Sequence, residues 1–397
     1  MSAREVHSYG WPMTRRYADL APTMLAVALV ALPILYAAYR WSHHGLSLPL
    51  ALAQTAALVV VFLALRERQP SRGERIGIAV SSATMIALAL AAPTAGDPWA
   101  YVGYAMFPHF HDAYNPPPIP FHGDFAVANQ FLGMPMAPCV YGPFWLFYDR
   151  LLVHWVPTMA VGIAVLKAVG ALTLVAIVVV LRRLAVPFVV LALVAVNPAL
   201  IDDAVWCAHN DFMATLLSVA AMLALSARRT PIAVALVVFG LASPRTRTVA
   251  LGAAFALAAV VVLAVVGARD YVHALTYAGS ATWQNPGRFA YLHVACAVIA
   301  VCLAGLAFVR ARIVPSLAWT FATLSTALYS WYYAWGLPYA ARGRGSGVLV
   351  LFAAWPLQLA LNDGGGRPLT PFTLFTVLLA AAAFDVLRAQ RLRFATA

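Results

Sequence analysis

Residues 76–101 read IGIAVSSATMIALALAAPTAGDPWAY. The run Ile76–Pro93 is apolar and of membrane-crossing length, and it ends at a lone carboxylate, Asp97. Beyond it, Pro98-Trp99-Ala100-Tyr101 opens an aromatic- and proline-rich stretch reaching Val156, too broken to cross a bilayer. A carboxylate at a lipid–water boundary over a long loop suits an enzyme that takes a lipid-borne substrate from the membrane side. There it would remove a proton from an acceptor.

Composition agrees with a membrane class. The 397 residues are 63% hydrophobic and 10% charged, with a mean hydropathy of +0.82, against about 25% charged residues in a soluble domain. Ala21–Ala38, Leu48–Leu65, Val161–Leu181, Val249–Gly267 and Ala290–Val309 approach the roughly 20 apolar residues that span a bilayer. The class is therefore all-α and polytopic. The net charge of +12 lies in short arginine runs between spans, a membrane-topology pattern rather than a nucleic-acid surface.

Those runs predict the orientation. Arg15-Arg16 places the N-terminus in the cytoplasm; Arg66, Arg68, Arg72 and Arg75 mark an inner loop, as do Arg182-Arg183 and Arg228-Arg229. Arg388, Arg391 and Arg393 place the C-terminus in the cytoplasm as well. The whole chain, 1–397, then reads as one integral membrane domain of about 11–13 segments. Its outer loops are 94–156, 201–211 and 268–288, the last containing Trp283-Gln284-Asn285-Pro286. Pro231–Ser243, short for a span, reads as a segment that dips in and returns. Val314–Ser330, Trp331–Ala341, Val348–Leu361 and Thr370–Leu387 complete the bundle.

Polar residues gather on the outer side. The first loop carries Asp97, Tyr101, Tyr104, His109, His111, Asp112, Tyr114, Asn115, Asp124 and Tyr141. Pro116, Pro117, Pro118 and Pro120 hold part of it extended. Pro143–His154 suits a short helix in the interface, anchored by Phe144, Trp145 and Trp155. The second group is Asn197-Pro198, Asp202-Asp203 and Trp206-Cys207-Ala208-His209-Asn210-Asp211, expected between two spans of ordinary length. Asp211 suits either a helix N-cap or, with His209, the cavity of Asp97. Two acidic groups and a histidine could also hold a divalent cation, although no strong metal-ligand spacing is present. Cys139 and Cys207 both fall in outer segments; spacing alone pairs no cysteines.

Lys167, the chain's one lysine, lies about 15 Å into its span. A cation at that depth faces a cavity or partner, or snorkels to an interface. Attraction to a lipid phosphate or to the acidic outer loops is its functional reading. The third group, Tyr329-Ser330-Trp331-Tyr332-Tyr333-Ala334-Trp335-Gly336-Leu337-Pro338, is either an interfacial belt or a wall for a sugar ring or polyprenyl chain.

In this order the three groups resemble the GT-C glycosyltransferases, and most closely the bacterial polyprenyl-phosphate-mannose-dependent α-(1→6)-mannopyranosyltransferases. The matching pieces are Asp97-Pro98-Trp99-Ala100-Tyr101, Tyr114-Asn115-Pro116, Tyr141-Gly142-Pro143, Asn197-Pro198, Ala208-His209-Asn210-Asp211 and Trp331-Tyr332-Tyr333-Ala334-Trp335-Gly336-Leu337-Pro338. Pro117 stands where the family motif has tyrosine, and Val140 where it has proline.

The resemblance implies a GT-C-like bundle in the plasma membrane with an extracytoplasmic active site. A sugar, mannose in the matched group, would pass from a polyprenyl-phosphate donor to a glycan or glycolipid acceptor, without a required cofactor. Asp97 would be the general base. Tyr101, Asn115, Tyr141, His209, Asn210 and Asp211 would contact substrate, Lys167 or Arg288 would offset phosphate charge, and Trp331 and Tyr332 would border the groove. The alternatives are transfer of arabinose or glucose, a transporter or flippase for a lipid-linked substrate, and a non-catalytic scaffold that keeps the fold.

Overall fold

The computed structural model describes residues 15–41, 46–66, 68–94, 96–132, 137–139, 141, 143–227, 334, 337, 352–353, 355–357 and 359–360. Among these every regular element is helical. Arg288, Trp331, Tyr332, the stretch 268–288 and the segment Pro231–Ser243 lie outside the described residues.

Four helices are long and apolar enough to cross a membrane. They lie within α1 (Arg15–Arg40), α2 (Leu48–Leu65), α3 (Arg72–Ala91) and α8 (Met159–Arg183). The sequence expectations for these spans agree with the helices to within a few residues. On α8, Leu172, Val175 and Val179 are exposed along one face, as are Val27, Val30 and Ile34 on α1. Such apolar stripes are stable against lipid and costly against water.

Local chemistry starts these helices. Ser71 opens α3 with a reciprocal cap: its Oγ accepts from the Glu74 N–H (3.2 Å), and Glu74 accepts from the Ser71 N–H (2.7 Å). Such a cap stabilises by about 1 kcal/mol. Arg68 pairs with the same carboxylate, so this arginine-rich end carries less charge than its count suggests. Thr158 caps α8 through the Val161 N–H at 3.2 Å.

Between α3 and α8 the described residues form four short α-helices, α4 (Asp97–Met106), α5 (Phe110–Tyr114), α6 (Ala126–Leu132) and α7 (Pro143–Val153), with a 3-10 turn, Gly123–Phe125, leading into α6. They share an apolar core with the start of α8, including Tyr101, Phe107, Tyr114, Phe121, Leu146 and Leu166. The predicted loop is thus a packed helical layer, and the expected Pro143–His154 helix is present as α7. Arg150 donates to the Phe107 carbonyl (2.8 Å), and the Asp124 carboxylate accepts from the Met159 N–H, tying the layer to itself and to α8.

The segment after α8 departs from expectation. A span of ordinary length was predicted before Asp202. Instead α9 (Phe188–Val196) stops after nine residues, and Pro198–Trp206 continues at an angle of 59°. Pro198 has no N–H to continue the ladder, and Asn197 caps the new direction, its Oδ1 accepting from the Ala199 and Leu200 N–H groups. The continuation is α10 (Pro198–Ile201) followed by a π-helical turn, Asp202–Trp206. Residues 201–206, expected in an open loop, are helical. α8 approaches this turn at Gly170, where any Cβ would overlap the Ala204 carbonyl. α11 (Asp211–Ser226) then packs on α8.

Candidate active site

Asp97 is the first residue of α4, and Gly96 before it has φ 97° and ψ −136°. That backbone region is essentially restricted to glycine. The conformation turns the chain from the end of α3 into α4. The Asp97 side chain keeps 27% of its surface exposed while its Oδ2 lies 3.3 Å from His209 Nδ1. His209 comes from the turn before α11 and is buried. The preceding residue, Ala208, has φ 49°, a left-handed conformation that costs a non-glycine residue roughly 1 kcal/mol.

Tyrosine hydroxyls complete the group. Tyr101, one turn along α4, hydrogen-bonds to the Asp97 carboxyl. Its Oη lies 3.3 Å from His209 Nδ1 and 3.3 Å from the Tyr141 hydroxyl. Tyr141 is held through its backbone, whose carbonyl accepts from the Tyr114 hydroxyl at 3.0 Å. Edge-on contacts of Tyr101 with Tyr141 and Trp145 fix its ring.

Burial governs the electrostatics. It pushes the Asp97 carboxyl from 3.8 up to about 6, against the lowering hydrogen bond from Tyr101. It pushes His209 down to about 3, so the imidazole is neutral at physiological pH. Tyr101 and Tyr141 are pushed up by burial and by the nearby acids, Asp97 and Asp211 among them, and remain hydroxyl donors. One proton arrangement fits the contacts among the four groups: the His209 Nδ1–H and the Tyr101 O–H donate to Asp97, and the Tyr141 O–H donates to Tyr101. The result is a partly open carboxylate with a basicity suited to neutral pH, which can accept a proton from a hydroxyl.

The other expected residues divide. Asp211 is buried and is the first residue of α11 rather than its cap; the Asn210 carbonyl accepts from the Met213 and Ala214 N–H groups. Asn115 ends α5 at an exposed position, its N–H donating to the His111 carbonyl. Lys167, expected to meet a phosphate or the outer acids, is buried, and its Nζ donates to the carbonyls of Leu90 (3.2 Å) and Ala92 (2.7 Å) at the end of α3. Cys139 and Cys207 are free thiols.

Asp202 and Asp203 do not line an open loop. Asp202 accepts from the Tyr36 and Tyr39 hydroxyls (3.0 and 3.3 Å) and pairs with Arg40, whose Nε lies 3.0 Å from Oδ1. Asp203 accepts from Trp355 Nε1 at 2.6 Å. Its carboxylate, the Cys207 thiol and a His209 ring nitrogen lie within 4.8 Å of one another. Ligand-type atoms that close could admit a cation, but Asp203 is already engaged by Trp355 and His209 already faces Asp97 and Tyr101.

Sequence reasoning gave Gly96 and Arg40 no part in the site, and it named Trp206 in the second group without this role. The Arg40 guanidinium lies between the rings of Tyr39 (3.6 Å) and Trp206 (3.9 Å), and Trp206 Nε1 donates to the Pro93 carbonyl at 2.7 Å. An arginine closing the first span beside two tyrosines was the available signal. No protein-family model, no curated protein and no solved structure matches the chain.

Proposed function

We propose that the protein is a membrane glycosyltransferase of the GT-C type, with about 11–13 spans, acting on the extracytoplasmic side of the plasma membrane. Its donor is a polyprenyl-phosphate sugar, mannose in the first instance, and its acceptor a glycan or glycolipid. The observation that carries this reading is the partly exposed Asp97 carboxylate, 3.3 Å from a neutral His209 contributed by a distant turn. The sidedness has support from α3 and α8, whose arginine-bearing ends, Arg72–Arg75 and Arg182–Arg183, lie opposite the ends nearest Asp97.

In the proposed step Asp97 takes the proton of the acceptor hydroxyl as its oxygen bonds to the anomeric carbon. The bond from that carbon to the lipid-phosphate oxygen breaks, and the phosphate leaves with the electron pair. A single base acting opposite the leaving group inverts the anomeric centre. His209 and Tyr101 hold the carboxylate in the orientation that faces the acceptor, and Tyr141 and Asp211 border the same space. Arg288, Trp331 and Tyr332 keep the roles that the family resemblance implies.

The test uses purified protein in liposomes with radiolabelled polyprenyl-phosphate-mannose and an oligomannoside acceptor. Asp97→Asn should lower transfer by about 10²–10⁴-fold while the protein stays folded and inserted. Near-normal turnover by that variant removes the base role. The broken span at Asn197–Pro198 is a feature that transporters share. Movement of the labelled lipid between leaflets without glycan product would favour that second reading.

A further inference from the structure

The chain between α3 and α4 is held in a way that the proposed chemistry explains. The last carbonyls of a helix lack intrahelical partners, and water or a glycine cap satisfies them at little cost. Here the carbonyls of Leu90, Ala92 and Pro93 are served by costlier groups. Lys167 Nζ donates to Leu90 and Ala92 from within the α8 span, where a cation is expensive to bury. Trp206 Nε1 donates to Pro93 from the π-helical turn. The indole is itself fixed by the stacked Arg40 guanidinium, which Asp202 holds in turn. The same π-helical turn leads through Cys207 and Ala208 into His209, and the held carbonyls lead through Gly96 into Asp97. The π-helical turn, which supplies Trp206 and leads to His209, and α8, which supplies Lys167, thus bear on both partners of the Asp97–His209 contact.

We infer that Lys167 and Trp206 are positioning residues, which set the Asp97–His209 geometry by clamping the carbonyls of Leu90, Ala92 and Pro93 and touch neither donor nor acceptor. This rests on the transferase reading and replaces a phosphate-binding role for Lys167 with a structural hold on the reacting carboxylate. A shift of about 1 Å in such a group costs on the order of 100-fold in rate.

The experiment compares full-length wild type, Lys167→Met, Lys167→Arg and Trp206→Phe in liposomes. Each is assayed with polyprenyl-phosphate-mannose varied at saturating acceptor, and the reverse. Lys167→Met and Trp206→Phe should lower kcat by about 10–100-fold with both KM values within about threefold of wild type. Lys167→Arg, which keeps a donor on the carbonyls, should recover most of the loss. A rise in donor KM with kcat unchanged in Lys167→Met would overturn the inference in favour of direct phosphate contact, and so would unchanged kinetics in both variants. A readout independent of turnover separates this from failure of the transferase reading. The carboxyl infrared band that Asp97→Asn abolishes should titrate at a different pH in Lys167→Met than in wild type. An unmoved titration would overturn the clamp whatever the reaction proves to be.

Discussion

Asp97 Oδ2 and His209 Nδ1 stand 3.3 Å apart, a partly exposed carboxylate against a buried neutral imidazole. Burial raises the basicity of the first and suppresses that of the second, so the pair enters the physiological range with a single titrating group. In the proposed reaction, two groups whose values burial moves in opposite directions in this way leave the aspartate as the proton acceptor.

The pH–rate profile should therefore show one acid limb, with kcat/KM falling about tenfold per pH unit below about pH 6 as Asp97 protonates. His209, lowered to about 3, adds no second limb between pH 4 and 8. Tyr101→Phe removes a hydrogen bond that lowers the Asp97 value, so its limb should move to higher pH. Initial rates from pH 4.5 to 8.5 check both, and a flat wild-type profile through pH 5–7 would refute the assignment.

The same carboxylate should cost stability. Its folded value lies above its unfolded one, so the cost is absent below about pH 3.8 and grows to its full size as pH rises through about 6. The interval corresponds to about 3 kcal/mol, which partial solvent access brings down to about 1–2 kcal/mol. Asp97→Asn should therefore raise the melting temperature at pH 8 and lose that advantage at pH 4. Thermal unfolding in one detergent at both pH values measures it.

Gly96→Ala should inactivate without unfolding. A Cβ at φ 97° and ψ −136° is strained by roughly 1–3 kcal/mol, and the strain is relieved by rotating the chain that delivers Asp97. Expression and helical circular dichroism should match wild type while transfer falls by 10-fold or more.

Gly170→Ala should act the other way, on stability first. The added methyl meets the Ala204 carbonyl, a backbone atom that moves only with the π-helical turn. A loss of about 1–3 kcal/mol is expected. Gly73→Ala, whose Cβ meets only the Ser71 hydroxyl at 4.0 Å, is the control that should leave the melting temperature within a degree or two.

Much of this was legible in the chain. The spans of α1, α2, α3 and α8 follow from apolar length, whereas the α3 start, four residues ahead of the apolar run, was set by the Ser71–Glu74 cap that hydropathy does not register. Asp97, Tyr101, Tyr141 and His209 were each identifiable as polar residues in stretches between apolar spans. The break at Asn197–Pro198 was visible as a dipeptide, but its consequence was not. A run read as a span followed by an outer loop became two helices at an angle, with Asn197 buried at the break and Asp202, Asp203 and His209 buried on or just beyond the second.

Sequence alone determined the class of solvent and the candidate base, because hydropathy and helix caps are local properties carried by neighbouring residues. Only the tertiary structure decided which polar groups are taken up by packing and which stay partly open. Lys167 and Asp202 looked as available as Asp97, yet one is spent on α3 carbonyls and the other on Arg40, Tyr36 and Tyr39. The physical reason is that a buried charge is stabilised by whatever partner folding brings to it, and that partner has no fixed distance along the chain.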